Sequence, residues 1–232
     1  MRPDDLTSLR GLPLFAGMSE PHFDALFRAA YLQSFPTRVE LFSEGDRADF
    51  LFVVVGGCVE LYASWNGRET TMAIVAPYGT FILAAVVKDA VYLMAARTAD
   101  KSRILMIPSE DVRRAFEQDD AFARAIVVEL ASCYRGVIKH QKELKLRSGV
   151  ERLAAYLLRC RSEQGNAPCV SLPHDKRTLA ALLGMTPENL SRAFATLRPY
   201  GVSVDGSSVT LSDLGGLMGL AKPTPLLDDA SS

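Results

Sequence analysis

Thr186-Pro187-Glu188-Asn189-Leu190-Ser191-Arg192-Ala193-Phe194-Ala195-Thr196-Leu197-Arg198 is the stretch from which the rest of the chain is read. It opens with a strong helix start. Thr186 can accept from orphan amides as N-cap, Pro187 suits the first helical position, and Glu188 sets a negative charge at the positive end of the dipole. Leu190, Ala193, Phe194 and Leu197 then fall on one apolar face, while Glu188, Ser191, Arg192 and Ala195 line the opposite side. A carboxylate, a hydroxyl, a guanidinium and a methyl form a set able to read base edges in a major groove. The alternative is an ordinary solvated face with one ion pair. Only the flanking sequence separates the two.

Upstream, Lys176 to Leu183 is helical and stops at Gly184, a glycine suited to the left-handed position after a helix. Two helices joined by Gly184-Met185-Thr186 make a helix-turn-helix. Downstream, Gly201 to Leu211 reads as two short strands around Asp205-Gly206, a small β-wing. Ahead of the pair, Val150, Leu153, Ala154, Leu157 and Leu158 form an amphipathic helix. Gly165-Asn166-Ala167-Pro168 breaks it, and Val170-Ser171-Leu172 is a candidate short strand.

The longest helix is predicted over about 120–147. Along it Ile126, Leu130, Cys133, Val137, His140 and Leu144 fall at heptad spacing. The rest of its surface carries Arg124, Glu129, Arg135, Lys139, Lys142, Glu143 and Lys145, and so narrow a stripe favours pairing with another helix, most simply its own copy in a parallel homodimer. Within that seam Cys133 reads as a buried inert thiol and His140 as a polar residue fixing register. From Leu32 to about Pro108, short apolar or alternating runs are broken by turn residues, Asn66-Gly67 being the strongest hairpin signal. That pattern predicts a small antiparallel barrel or roll. Residues 6–30 read as a short helical segment, with Ser19 as N-cap and Phe23, Leu26, Phe27 and Ala30 on one face. Ser109 and Asp111 are further candidate caps.

The predicted architecture is therefore α+β. An N-terminal antiparallel β-roll with its leading helix spans 1–118, a dimerisation helix 119–147, and a winged helix-turn-helix 148–221. Residues 222–232, with Pro223, Pro225 and a terminal Asp-Asp-Ala-Ser-Ser, are expected to be disordered.

Composition fits this division. The net charge of −1 hides an asymmetry: residues 135–198 hold twelve Lys/Arg against five Asp/Glu, or +7, leaving −8 elsewhere. A basic module beside an acidic one points to a polyanion partner. Cys58, Cys133, Cys160 and Cys169 are scattered and form no C-x-x-C pair, so no zinc or iron–sulfur cradle is indicated and a reducing cytoplasm is the expected compartment. No apolar run suits a signal peptide or a membrane span. The roll span contains no histidine, which argues against a metal-dependent enzyme of cupin type, and no phosphate loop or Ser/His/Asp order appears. An enzyme is not expected.

This order of parts resembles the CRP/FNR superfamily of bacterial transcription regulators over nearly the whole chain. Leu179 to Arg192 looks like the family helix-turn-helix signature, and Phe42-Ser43-Glu44-Gly45-Asp46 and Gly57-Cys58-Val59 look like turns of its sensor roll. The resemblance implies a homodimer on double-stranded DNA, an activator with RNA polymerase as a further partner. Glu-x-x-Ser-Arg at Glu188, Ser191 and Arg192 is similar to the FNR branch; the cyclic-AMP receptor branch has arginine before the glutamate and glycine where Ser191 stands. Arg192 suits guanine O6/N7 and Glu188 suits cytosine N4. The implied half-site resembles TTGAT, repeated as a palindrome. Lys176, Arg177 and Thr186 stand where the family contacts phosphates.

The sensor departs from the cyclic-nucleotide branch. Leu83-Ala84 stand where Gly-Glu would hold the ligand, and Ala90-Val91 where Arg-Ser would, so no cyclic nucleotide is expected. The cysteine cluster of oxygen-sensing relatives is also missing. Phe81, Leu83, Ala84 and Val87 form a candidate apolar effector pocket. It resembles the heme-associated, nitric-oxide-responsive DNR/NnrR kind, with His140 the most interesting ligand candidate beside His22, Cys58 and Met72. The other reading is an effector-free or cysteine-redox-controlled regulator of FixK type. His22 and His174 otherwise read as surface residues.

Overall fold

A computed structural model of the chain describes residues 3–228. The chain packs as two units, Met1–Tyr134 and Arg135–Ser232, dividing inside the long helix.

In the first unit, helices α1 (Pro3–Arg10), α2 (Pro13–Ala16) and α3 (Glu20–Arg28) lead into β1 (Tyr31–Phe35), β2 (Glu40–Phe42), β3 (Phe50–Gly56), β4 (Val59–Trp65), β5 (Arg68–Val75) and β6 (Thr80–Phe81). A short helix α4 (Leu83–Lys88) follows, then β7 (Ala95–Thr98), β8 (Ser102–Pro108), α5 (Ser109–Gln118) and the long α6 (Asp120–Leu146). The strands form two antiparallel sheets, ordered β1-β8-β3-β6 and β2-β7-β4-β5, which is the roll expected from the sequence. The Asn66-Gly67 hairpin forms as read, with both residues at positive φ and Trp65 opposite Arg68. In β3 the continuous run Leu51, Phe52, Val53 and Val54 is buried. Inside the roll Phe42 stacks on Tyr92 at 3.9 Å and Phe52 on Phe81 at 5.2 Å.

Four expectations change here. α4 was not foreseen, because six residues are too few to show a period. Of the run Val91 to Arg97, whose composition suggests a strand, only Ala95–Arg97 joins a sheet, and that strand runs on to Thr98. Ser109 does not cap α5: Pro108 holds the cap position and the Ser109 hydroxyl donates to the Ala48 carbonyl. Ile126 is fully buried among the apolar side chains of this unit, with Phe122, and Leu130 packs partly against them. The first seam positions are therefore spent on the roll. The large apolar residues left exposed along α6 include Val127, Tyr134, Val137 and Ile138. Cys133 and His140 are exposed as well.

Asp119 fastens the start of α6. Its Oδ1 accepts from the Phe122 amide at 2.9 Å, and its Oδ2 accepts from the Ser19 amide at 2.9 Å and the Ser19 hydroxyl at 3.0 Å. His22 Nδ1 lies 3.0 Å from the same Oδ2, so His22 is more than a surface residue. Ser19 thus occupies the N-cap position of α3 while its hydroxyl serves Asp119.

The second unit takes the end of α6, then α7 (Gly149–Glu163), β9 (Cys169–Ser171), α8 (Lys176–Leu182), α9 (Pro187–Leu197) and a 3₁₀ turn, Arg198–Tyr200. The wing strands β10 (Val202–Asp205) and β11 (Ser208–Leu211) follow, then α10 (Leu214–Ala221) and α11 (Pro225–Asp228). The sheet order is β10-β11-β9, so the candidate strand near Val170 becomes the third wing strand. The tail differs from expectation: residues 225–228 are helical, and Asp228 pairs with Arg147. Residues 229–232 of that expected disorder lie outside the described residues.

Burial alone would raise the Asp119 carboxyl, but the Phe122 and Ser19 amides, His22 and the Ser19 hydroxyl outweigh it and hold the group below the usual aspartate range. A depressed native pKa contributes stability that is present above the ordinary carboxylate range and is lost as pH falls below it. Asp119→Asn should cost about 1–3 kcal/mol at neutral pH and flatten the acid limb of stability below about pH 4, read by urea denaturation across pH.

Candidate nucleic-acid interface

The presentation of α9 begins one turn earlier. α8 ends in a double backbone hook: the Gly184 amide donates to Ala181 O and the Met185 amide to Ala180 O, both at 2.9 Å. Gly184 holds φ +62, and a Cβ there would collide with Leu144 of α6. Only glycine meets both demands. Thr186 then caps α9, its hydroxyl accepting from the Asn189 amide at 3.3 Å. Arg152 of α7 seals the turn, donating to Arg147 O at 2.7 Å, Leu183 O at 2.8 Å and Gly184 O at 3.3 Å.

The amphipathic reading of α9 holds residue by residue. Leu190, Ala193, Phe194 and Leu197 are buried, and Glu188, Ser191, Arg192 and Ala195 are exposed. Packing of this kind is worth about 1.5–3 kcal/mol per large side chain, so the helix is held by one face and free to read with the other. The Ser191 hydroxyl donates to Pro187 O at 3.0 Å. The Glu188 carboxyl is held below its ordinary value by its own backbone amide, with Thr186 and then Arg192 adding to the effect. It is an acceptor at neutral pH.

Cations surround this face. Lys176 and Arg177 are exposed at the start of α8, whose N-cap Asp175 accepts from the Thr178 amide at 2.8 Å. An open groove between α9 and the wing is lined by Lys176, Ser191, Ala195, Arg198, Ser203 and Gly206. Arg198 is the functional candidate that sequence reading passed over. The polar stripe 188, 191, 195 steps next to 198 at the same spacing, so the periodicity already pointed to it.

The candidate effector residues are not brought together as one lining. Phe81 and Leu83 are buried in the roll, Val87 is half-buried and Ala84 is exposed. Near α4, Arg113 donates to Val86 O at 3.1 Å and lies 3.3 Å from Asp89, and Arg47 reaches the same carboxylate at 3.5 Å. Among the described residues no group of three or more His, Cys, Asp or Glu is placed to hold a metal ion. His174 is half-buried, and burial lowers its pKa against the opposing pull of Asp175. Burial raises the thiol of Cys58. No helix among the described residues is long and apolar enough to cross a membrane.

Comparison with known proteins meets this geometry. Residues 32–119 match the cyclic nucleotide-binding domain, and residues 151–220 match the Crp-like helix-turn-helix domain. The chain is 25% identical over 195 residues to the cyclic AMP receptor protein of Thermus thermophilus, covering 84% of this chain and 89% of that one. It is 23% identical over 216 residues to a CRP-like cAMP-activated global transcriptional regulator of Mycobacterium tuberculosis, covering 90% and 96%. The fold is that of FixK2 from Bradyrhizobium japonicum, at a TM-score of 0.71 and 24% identity over 84% of this chain and 98% of that one. The chain belongs to the CRP/FNR family of transcription regulators, whose members matched here are regulators and not enzymes.

Gly184→Ala should destabilise the helix-turn-helix unit by more than about 1 kcal/mol, since alanine must both adopt positive φ and displace Leu144. Chemical denaturation followed by circular dichroism reads it, and an unchanged midpoint would contradict the packing described.

Proposed function

We propose that the protein is a homodimeric activator that reads a palindrome of TTGAT-like half-sites and does so without a cyclic nucleotide. The observation that carries this is the exposed Glu188, Ser191 and Arg192 row on a helix whose opposite face is buried. Arg192 would take guanine and Glu188 cytosine, while Lys176, Arg177, Thr186 and Arg198 would grip phosphates. The dimer face would be the exposed apolar side of α6, with Val127, Tyr134, Val137 and Ile138. This face keeps Val137 of the Ile126-led seam, gives Ile126 up to the roll, and adds Val127, Tyr134 and Ile138. Contact with RNA polymerase in the cytoplasm belongs to the same reading.

Control is the finer question. Relatives are named for cyclic AMP, but this chain has Leu83-Ala84 and Ala90-Val91 where the nucleotide-binding pairs are expected. The stacked rings of Phe42, Phe52, Phe81 and Tyr92 occupy the roll interior with the protein's own side chains. That favours the effector-free or cysteine-redox mode over a nitric-oxide-responsive heme, for which His140 would be the ligand candidate. The test is DNA binding by purified protein with cyclic AMP and with heme. Tight binding without either, unmoved by cyclic AMP and with no Soret shift on adding heme, is expected. Dependence on cyclic AMP, or a heme spectrum altered by nitric oxide together with altered DNA binding, would overturn this mode of control.

Arg192→Ala should cost about 1–3 kcal/mol on the TTGAT palindrome and relax choice at the guanine. Lys176→Ala should weaken all sequences alike and reduce the salt slope by about 1. Ile138→Glu should shift the chain toward monomer in sedimentation experiments, with DNA binding falling in step.

A further inference from the structure

The C-terminal segment makes a contact that neither the DNA-reading face nor the roll uses. Asp228 receives a two-pronged grip from Arg147, Nη1 to Oδ1 and Nη2 to Oδ2, both at 2.7 Å. Arg147 sits at the elbow where α6 ends and α7 begins, and its side chain is only 7% exposed. The same guanidinium reaches Glu143 of α6 at 3.1 Å, and Arg159 of α7 reaches Glu143 at 2.7 Å and Asp228 at 3.3 Å. Arg147 Nη2 also approaches Lys222 O at 3.4 Å, and the Thr224 amide donates to Asp228 Oδ2 at 2.8 Å. Two guanidiniums and two carboxylates from α6, the elbow, α7 and α11 thus close into a neutral cluster. Charge-assisted, two-pronged bonds of this kind fix geometry as well as supplying energy.

The cluster shares Arg147 with the turn that presents α9. Arg152 binds the Arg147 carbonyl on one side and the Leu183 and Gly184 carbonyls on the other, and Leu144 packs against Gly184. We propose that residues 222–228 are a clasp, with Asp228 a positioning residue that fixes the angle at which the recognition helix leaves the end of α6. Removing the Asp228 charge leaves Arg147 and Arg159 sharing Glu143 in a half-buried site, and the elbow loses its outer support. Each reading head would keep its own fold and its grip on one half-site. Two heads on a dimer would lose their fixed spacing. This rests on the dimeric DNA reading above, so the test carries an arm independent of DNA.

Asp228→Asn and Asp228→Glu are made in the full chain. Hydrogen exchange across 143–152 should quicken in Asp228→Asn and return toward the parent in Asp228→Glu. If release lowers the binding-competent fraction to about one tenth, palindrome affinity falls about tenfold while single half-site affinity holds. Preference for the natural spacing over one lengthened by a base pair should shrink with it, and Asp228→Glu should restore it. Unchanged exchange overturns the clasp whatever DNA does. Quicker exchange with unchanged palindrome affinity, or equal loss on half-site and palindrome, overturns the positioning role. If the parent chain binds neither DNA, the dimeric DNA reading fails and the positioning role with it, while exchange alone decides whether the clasp exists.

Discussion

Presentation of the recognition helix depends on one turn built on a glycine at positive φ. Gly184 must hold a positive φ, and Leu144 fills the space where its Cβ would stand. Arg152 supplies the polar half of the joint by satisfying the carbonyls that the end of α8 and the elbow leave free. Two segments separate in sequence, 144–152 and 183–186 with the start of α9 that follows it, are thereby held as one joint. The direction of α9 follows from that joint, and the exposure of Glu188, Ser191 and Arg192 follows from the direction.

The helix-turn-helix was legible because its signals are local. A cap hydroxyl, a proline at the first position, an apolar stripe and a C-terminal glycine act within a turn of where they stand, and each forms the contact its chemistry implies. The roll was legible for a similar reason, since hairpin turns and alternation set register between neighbours. What failed was non-local. The period of α6 revealed an apolar stripe but not which part of it faces the chain's own roll, so Ile126 was placed on the wrong partner. The tail failed because its order comes from Asp228 meeting Arg147, 81 residues earlier. Composition describes what a segment tends to do alone, and this segment is not alone.

Charge shows the same distinction between local and assembled effects. The basic excess in 135–198 was visible in sequence, yet not every cation in it is available to a polyanion. Arg147 is spent on Asp228 and Glu143, Arg159 shares the same cluster, and Arg152 is turned to backbone carbonyls. Lys176, Arg177, Arg192 and Arg198 remain exposed on and around the α8–α9 face. The useful charge is thus smaller than the count and better placed.

The roll raises a sharper physical question, because its α4 corner is built at a cost. Ile82 is β-branched and sits at φ 67, ψ 14, a conformation that costs an L-residue roughly 1–2 kcal/mol. Its neighbours Phe81 and Leu83 are buried on either side, and Phe81 stacks on Phe52. Apolar burial on both flanks can hold the strained residue in place. In a roll that binds an effector, ligand contacts can stabilise such a corner and make it responsive. Here the stacked rings of Phe52 and Phe81 lie at that corner, and they are the physical ground for proposing control without an effector.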